Sequence, residues 1–252
     1  MTRLARLILL AMVLTAVASA AAVDLLLVAS DDTEAQVVLG RMTDPVAETR
    51  GAWTLWRGGL SGKTVVLTRA EGDPLNAVAA TTLALRLHPA RLVVVFGAAR
   101  AHDPALQAGD LVVSERFAAF DGMVSPIVEL DGGSNALLWK KRAHMLVTAG
   151  ERESPTDYFP ADTRALAAAR QLPPGRGRVV AGTLGSAHQV NREADRIAWL
   201  REHWQTSTED GDSAHVAGCA LLLGVPVVGL RVVDGTGGEA AGFALKFVEA
   251  WK

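Results

Sequence analysis

Along the chain, apolar positions fall into short unbroken runs separated by longer stretches in which they recur every three or four residues. Val23 to Ser30 reads VDLLLVAS, the continuous run of a strand buried on both faces, and it gives way to Asp31, Asp32, Thr33 and Glu34, where a helix should start. Thr54 to Trp56 and Lys63 to Thr68 suggest a hairpin around Gly58, Gly59 and Gly62. NAVAATTLALRL, Asn76 to Leu87, has helical spacing and stops at His88-Pro89. Buried strands follow at Arg91 to Phe96 and Leu111 to Ser114, with a small-residue turn and a Gly-Asp return between them.

The stretch from Asp121 to Pro160 is irregular, rich in charge, Pro and Gly, and is expected to run over the surface as loops. Beyond it the pattern predicts a helix over Asp162 to Gln171 capped by Asp162, and a strand at Arg178 to Ala181. Helices at Arg192 to Trp204 and Ser213 to Leu223, a strand at Pro226 to Val233 and a helix at Ala240 to Trp251 complete it. Strands alternating with helices predict a single α/β domain, a central mixed twisted sheet flanked by helices, with ligands bound at the carboxyl ends of strands.

The first residues differ from the rest. Arg3 and Arg6 precede the apolar run Leu7 to Val17 and the small-residue exit Ala18-Ser19-Ala20, the pattern of a secretory signal peptide. We assign 1–22 to that signal and 23–252 to the folded domain, periplasmic or secreted, with no membrane association once the signal is cleaved. An uncleaved anchor and a buried first strand are the other readings, the run being short for a span. Cys219 stands alone and cannot form an internal disulfide. The net charge of −2 and the absence of a Lys/Arg stripe argue against a nucleic-acid partner.

The six histidines show no ligand spacing, no Gly-x-Ser-x-Gly elbow occurs, and the glycine clusters lack a phosphate-loop lysine, so neither a metal nor a cofactor is expected. The candidate residues instead fall at strand ends. Glu34 follows the first strand, Ala98 the Arg91 strand, and His188, Gln189 and Asn191 the Arg178 strand; Asp234 follows the last, while Asp210 and Asp212 precede a helix. Structural explanations exist for each: acids favour helix N-termini, an Asp before Gly is common in turns, and lone loop histidines are usually exposed.

Five segments, in order, carry a resemblance that spans nearly all of 23–252. LLLVASDDTEAQ, GKTVVLTRAEGDPLNAVAATTLAL, FGAARAHDPALQAGDLVVS, TEDGDSAHVA and PVVGLRVVDGTGG resemble the nucleoside phosphorylase and nucleosidase superfamily, particularly its methylthioadenosine/adenosylhomocysteine nucleosidases. The resemblance implies a homo-oligomer that acts on a small-molecule purine nucleoside, cleaving the N-glycosidic bond of an adenosine-type compound by hydrolysis rather than phosphorolysis. It implies Asp234 as the acid for the purine, Glu34 as the carboxylate that orients water, and Asp212 as the clamp on the ribose hydroxyls, with Asp210, Ala98, His188, Gln189 and Asn191 binding substrate.

The chain departs from the family pattern at several of these places. Where the family writes Gly-Ser-Ala-Gly-Gly, this chain has Gly97, Ala98, Ala99, Arg100 and Ala101; Gly211 stands for a methionine and Asp212 for a glutamate. Counted without a gap from Arg231, Gly235 and not Asp234 takes the place of the family's acid; one deleted residue restores Asp234 to it. A member that keeps the fold and binds nucleosides without cleaving them is the alternative reading.

Overall fold

The computed structural model describes residues 22–127, 133, 135–148 and 151–252, so the expected signal segment lies almost wholly outside the described residues. In chain order the elements are β1 (Val23–Ala29), α1 (Asp32–Leu39), β2 (Thr43–Arg50), β3 (Trp53–Leu60), β4 (Lys63–Arg69), α2 (Pro74–Leu87), β5 (Ala90–Ala101) and β6 (Leu111–Ala119). Short strands β7 (Met123–Val124), β8 (Lys140–Lys141), β9 (His144–Thr148), β10 (Glu151–Thr156) and β11 (Phe159–Pro160) occupy the irregular region. Then come α3 (Thr163–Ala169), β12 (Val179–Ser186), α4 (Ala194–Trp204), β13 (Thr208–Asp210), α5 (Ser213–Leu222), β14 (Val227–Val233) and α6 (Gly237–Ala250).

Ten strands form one mixed sheet. Its centre closes on itself: β5 pairs with β14, β14 with β6, β6 with β12, β12 with β13, and β13 returns to β5. From β5 the sheet continues through β1, β4 and β3 to the edge strand β2. The unbroken apolar run of β1 reflects burial on both faces. Leu25, Leu27 and Ala29 join a core with Val38, Ala240 and Phe247, while Leu26 and Val28 join another with Ala77, Ala84 and Ala217. Helices α1, α3 and α6 thus cover one side and α2 and α5 the other, as the single-domain α/β reading expects.

Asp162 caps α3 as expected, accepting from the Ala165 amide at 2.7 Å, while α2 starts earlier than Asn76, at Pro74, with Asp73 as its cap. The 53–69 hairpin forms, but it turns at Ser61-Gly62, and Gly58 and Gly59 lie inside β3. Two expectations need correction. Residues 97–101 are not a turn but the end of β5, drawn straight by seven parallel pairs with β14 and by Glu209 and Thr208 of β13 on Arg100 and Ala101. The strand expected at Arg178 to Ala181 likewise runs on, as β12, to Ser186.

Candidate active site

Folding brings the ends of β5, β12, β13 and β14 to one cavity of about 560 Å³. Its wall includes Ala98, His188, Gln189, Asp210 and Asp234 from the sequence-derived set, joined by Arg100, Glu209, Gly211 and Gly72. Glu34, Asp212 and Asn191 do not form that wall; they stand behind it, each tied to a residue that does.

Glu34 occupies the first turn of α1, where it is the reciprocal half of a capping box. Asp31 accepts from the Glu34 amide at 2.9 Å, and Glu34 Oε2 accepts from the amides of Ser30 at 2.7 Å and Asp31 at 3.3 Å. A surface acid would stop there, but this one is 1% exposed, and its Oε1 accepts from the Ala98 amide at 3.2 Å. Burial pushes its pKa from the usual 4.5 to about 7, with the nearby Arg231 charge opposing the shift. Because the folded value lies above the unfolded one, the stabilisation from keeping Glu34 protonated is complete below pH 4.5 and is lost as pH rises through about 7.

Arg231 lies in the middle of β14 and is completely buried. Its guanidinium donates to Ser30 Oγ and to Asp212 Oδ1, and its Nε stands 3.1 Å from Asp210 Oδ2 as an ion pair without hydrogen-bond geometry. A Cβ at Gly97 would stand 2.1 Å from Arg231 Nη1 and 2.4 Å from Ser30 Oγ, so glycine is what lets this cluster close. The two carboxylates diverge in character. Burial works to raise Asp210, but Arg231 and hydrogen bonds from Ser186 and Ser213 outweigh it and hold it below the usual range. Burial raises Asp212, Arg231 offsets only part of that, and the Asp210 charge adds to it. Asp212 Oδ2 is buried with no hydrogen-bond partner among the described residues.

Asp234 closes β14 at the cavity edge in the left-handed region, φ 43°, where its amide donates to the Ala99 carbonyl at 2.8 Å. Aspartate tolerates this conformation better than most residues, and such strained positions concentrate at functional sites. At the neighbouring Gly235 a Cβ would stand 2.4 Å from Val232 Cγ1, so this backbone leaves no room for a side chain there.

The loop after β12 is pinned from below. Glu209 Oε1 accepts from the Asn191 amide at 2.9 Å, and Oε2 accepts from Asn191 Nδ2 at 2.5 Å and bonds His102 Nε2 at 3.0 Å. Asn191 therefore anchors the loop that carries His188 and Gln189 over the cavity. His188 is itself largely exposed, 3.7 Å from Asp73.

Gly211 also has a steric reason. A Cβ there would stand 1.9 Å from the Gly72 carbonyl oxygen, so the 71–72 turn fills the space that a longer side chain would need. Gly211→Met is accordingly expected to destabilise the fold by about 1–3 kcal/mol as overpacking does. Thermal unfolding checks this, and an unchanged midpoint would show that the Gly72 turn yields freely.

Sequence reasoning gave Arg231 and Glu209 no role at the site. For Arg231 a signal was present: one arginine inside VVGLRVV, a run otherwise buried on both faces, must find carboxylates. Nothing in the sequence marks Ser30 as a partner of Arg231, or His102 as a partner of Glu209, because each pair meets only in the folded sheet.

Comparison with known proteins places this geometry. A methylthioadenosine/S-adenosylhomocysteine nucleosidase of Actinobacillus succinogenes is 24% identical over 215 residues, 84% of this chain and 86% of that protein. The crystal structure of the Neisseria meningitidis enzyme of that name, in complex with methylthio-immucillin-A, matches with a TM-score of 0.71 at 20% identity, over 90% of this chain and 97% of the other. The futalosine hydrolase of Helicobacter pylori matches with a TM-score of 0.72 at 16% identity, over 90% and 97%. The family profile described as Phosphorylase superfamily matches residues 24–251, so the strands that build the cavity and the carboxylates behind it all lie within the match, and the chain belongs to the phosphorylase superfamily.

Proposed function

We propose that the chain is an exported nucleosidase that hydrolyses the N-glycosidic bond of an adenosine-type nucleoside such as methylthioadenosine. The observation that carries this reading is the buried Glu34 carboxylate. It is raised to about 7, joined through the Ala98 amide to the wall of a cavity that also holds Asp234, and so can take up a proton near neutral pH.

In this reading a water enters between Ala98 and the sugar, oriented by Glu34. As the bond from C1′ to the base breaks, its electron pair passes into the purine, and Asp234 delivers a proton to N7. The water oxygen bonds C1′ while its proton goes to Glu34, leaving free base and free sugar. Asp212, whose Oδ2 lacks a partner, accepts from a ribose hydroxyl, and Arg231 and Asp210 hold it in place. Ala98 contributes its backbone and no hydroxyl, which favours water over phosphate as the acceptor. Gln189 and His188 face the base, on the loop that Asn191 anchors.

The signal-like composition of 1–22 supports export, and N-terminal sequencing of the periplasmic protein checks it. A homo-oligomer is supported by exposed Val78, Leu222 and Leu223 around a second, apolar cavity of about 280 Å³ between α2 and α5.

A second reading, a member that binds nucleosides without cleaving them, has an observation of its own: the cavity wall offers Ala98 without a hydroxyl, and Glu34 stands behind it, 1% exposed. Incubation with methylthioadenosine, adenosylhomocysteine, adenosine and inosine, with and without phosphate, separates the two. The nucleosidase releases free base without needing phosphate, whereas calorimetric binding of adenine with no release from any compound favours the binder.

Release should depend on pH through Glu34. The ionised form is the base, so the part of the rate that depends on Glu34 is expected to rise with pH and be complete above about 7. In Glu34→Gln that limb should vanish together with most of the rate; a pH profile unchanged in this variant would exclude Glu34 from the chemistry.

A further inference from the structure

We propose that Arg100 makes the cavity selective for a nucleoside that carries a carboxylate or phosphate group, an inference that rests on the nucleoside reading above. Arg100 replaces a glycine of the family pattern, lines the cavity and is exposed. Its position should have given it a partner: in the antiparallel pairing of β5 with β13 it stands directly opposite Glu209, where opposite charges ordinarily attract.

That partner is withheld. Both Glu209 oxygens are already engaged by Asn191 and His102, and Glu209 is 5% exposed. The other nearby acids are spent in the same way or stand apart. Asp103 pairs with Arg201 at 3.3 Å, and Asp210 is held by Ser186, Ser213 and Arg231. Asp234 shares the cavity but forms no ion pair with Arg100 among the described residues. Among the described residues the Arg100 side chain makes no hydrogen bond or ion pair.

A guanidinium has five donors and no acceptor, and its fork matches a carboxylate or a phosphate in a bidentate fashion. Set in a concave wall whose Glu209 and Asp210 are already bonded to other groups, it offers more to an anionic ligand than to a neutral one. The asymmetry is built by the His102 and Asn191 bonds, since freeing Glu209 would return its natural partner to Arg100.

Calorimetry on the full domain tests this with three ligands: adenosine 5′-carboxylic acid, its neutral 5′-carboxamide, and adenosine 5′-monophosphate. Inorganic phosphate added as a competitor separates recognition of a nucleoside-borne anion from binding of the free ion. The wild-type chain is expected to bind an anionic ligand about ten- to a hundredfold tighter than the carboxamide. Arg100→Ala should collapse that ratio toward one and Arg100→Glu should invert it. Equal affinities in the wild type, a ratio that survives Arg100→Ala, or a phosphate site that excludes none of the nucleosides overturns the inference. Failure of every nucleoside to bind contradicts the nucleoside reading itself and takes this inference with it, a result distinct from binding without preference.

Discussion

Asp234→Asn is expected to lower base release by about 10²- to 10⁴-fold, the contribution of a positioned general acid. The substitution is well suited to isolating the proton. Asparagine tolerates the left-handed backbone at φ 43° as aspartate does, so the bend that ends β14 and the amide bond to Ala99 should persist. Exposure of the side chain means that no buried partner is lost. A fall in kcat with an unchanged thermal midpoint would therefore report chemistry and not folding. Retained activity would remove Asp234 from the acid's place, and Gly235 beside it has no side chain to donate a proton.

The largest effect on stability is expected from Arg231→Met. Methionine approximates the length of the side chain but leaves Asp210 and Asp212 buried without their shared cation, which costs about 3–5 kcal/mol. For a domain of this size that corresponds to a drop of roughly 6–20 °C in Tm. The loss should depend on pH with a defined sign. Arg231 helps hold the Asp210 carboxyl below its usual range, so its contribution is fully present above the unfolded pKa and fades as pH falls through the folded one. The gap between variant and wild type should accordingly narrow in acid. A variant as stable as the wild type at neutral pH would mean that the two acids are neutral in the fold or find other donors.

How far the sequence could be read depended on whether the forces were local. VDLLLVAS announced a strand buried on both faces, and Asp162 and the Asp31 to Glu34 turn announced helix starts, because capping and burial are decided within a few residues. Residues 97–101 were misread for the opposite reason: Gly-Ala-Ala reads as a turn in isolation, and only pairing with β14 and β13 extends the strand. β2 and β13 escaped notice similarly, the first as a polar edge strand, the second as three residues resembling an acidic helix start.

At the site, the strand-end rule gathered Ala98, His188, Gln189 and Asp234, and the helix start at Asp210 joined them, around one cavity without any contact information. It could not order them in depth. Glu34 and Asp212 recede behind the wall because Arg231 draws the acids inward, and Gly97 permits that approach only by lacking a side chain. The departures from the family pattern prove to be linked to their surroundings: Gly211 leaves room for the Gly72 turn, and Arg100 faces an acid already taken.

The central claim is that this cavity hydrolyses a nucleoside. Its most direct test is incubation of the purified domain with methylthioadenosine in phosphate-free buffer made with ¹⁸O-labelled water, followed by mass spectrometry of both products. Free adenine and a free sugar carrying one ¹⁸O at C1′ are expected. No adenine from a folded protein that binds the nucleoside, or release that occurs only on adding phosphate and yields a sugar phosphate, would contradict it.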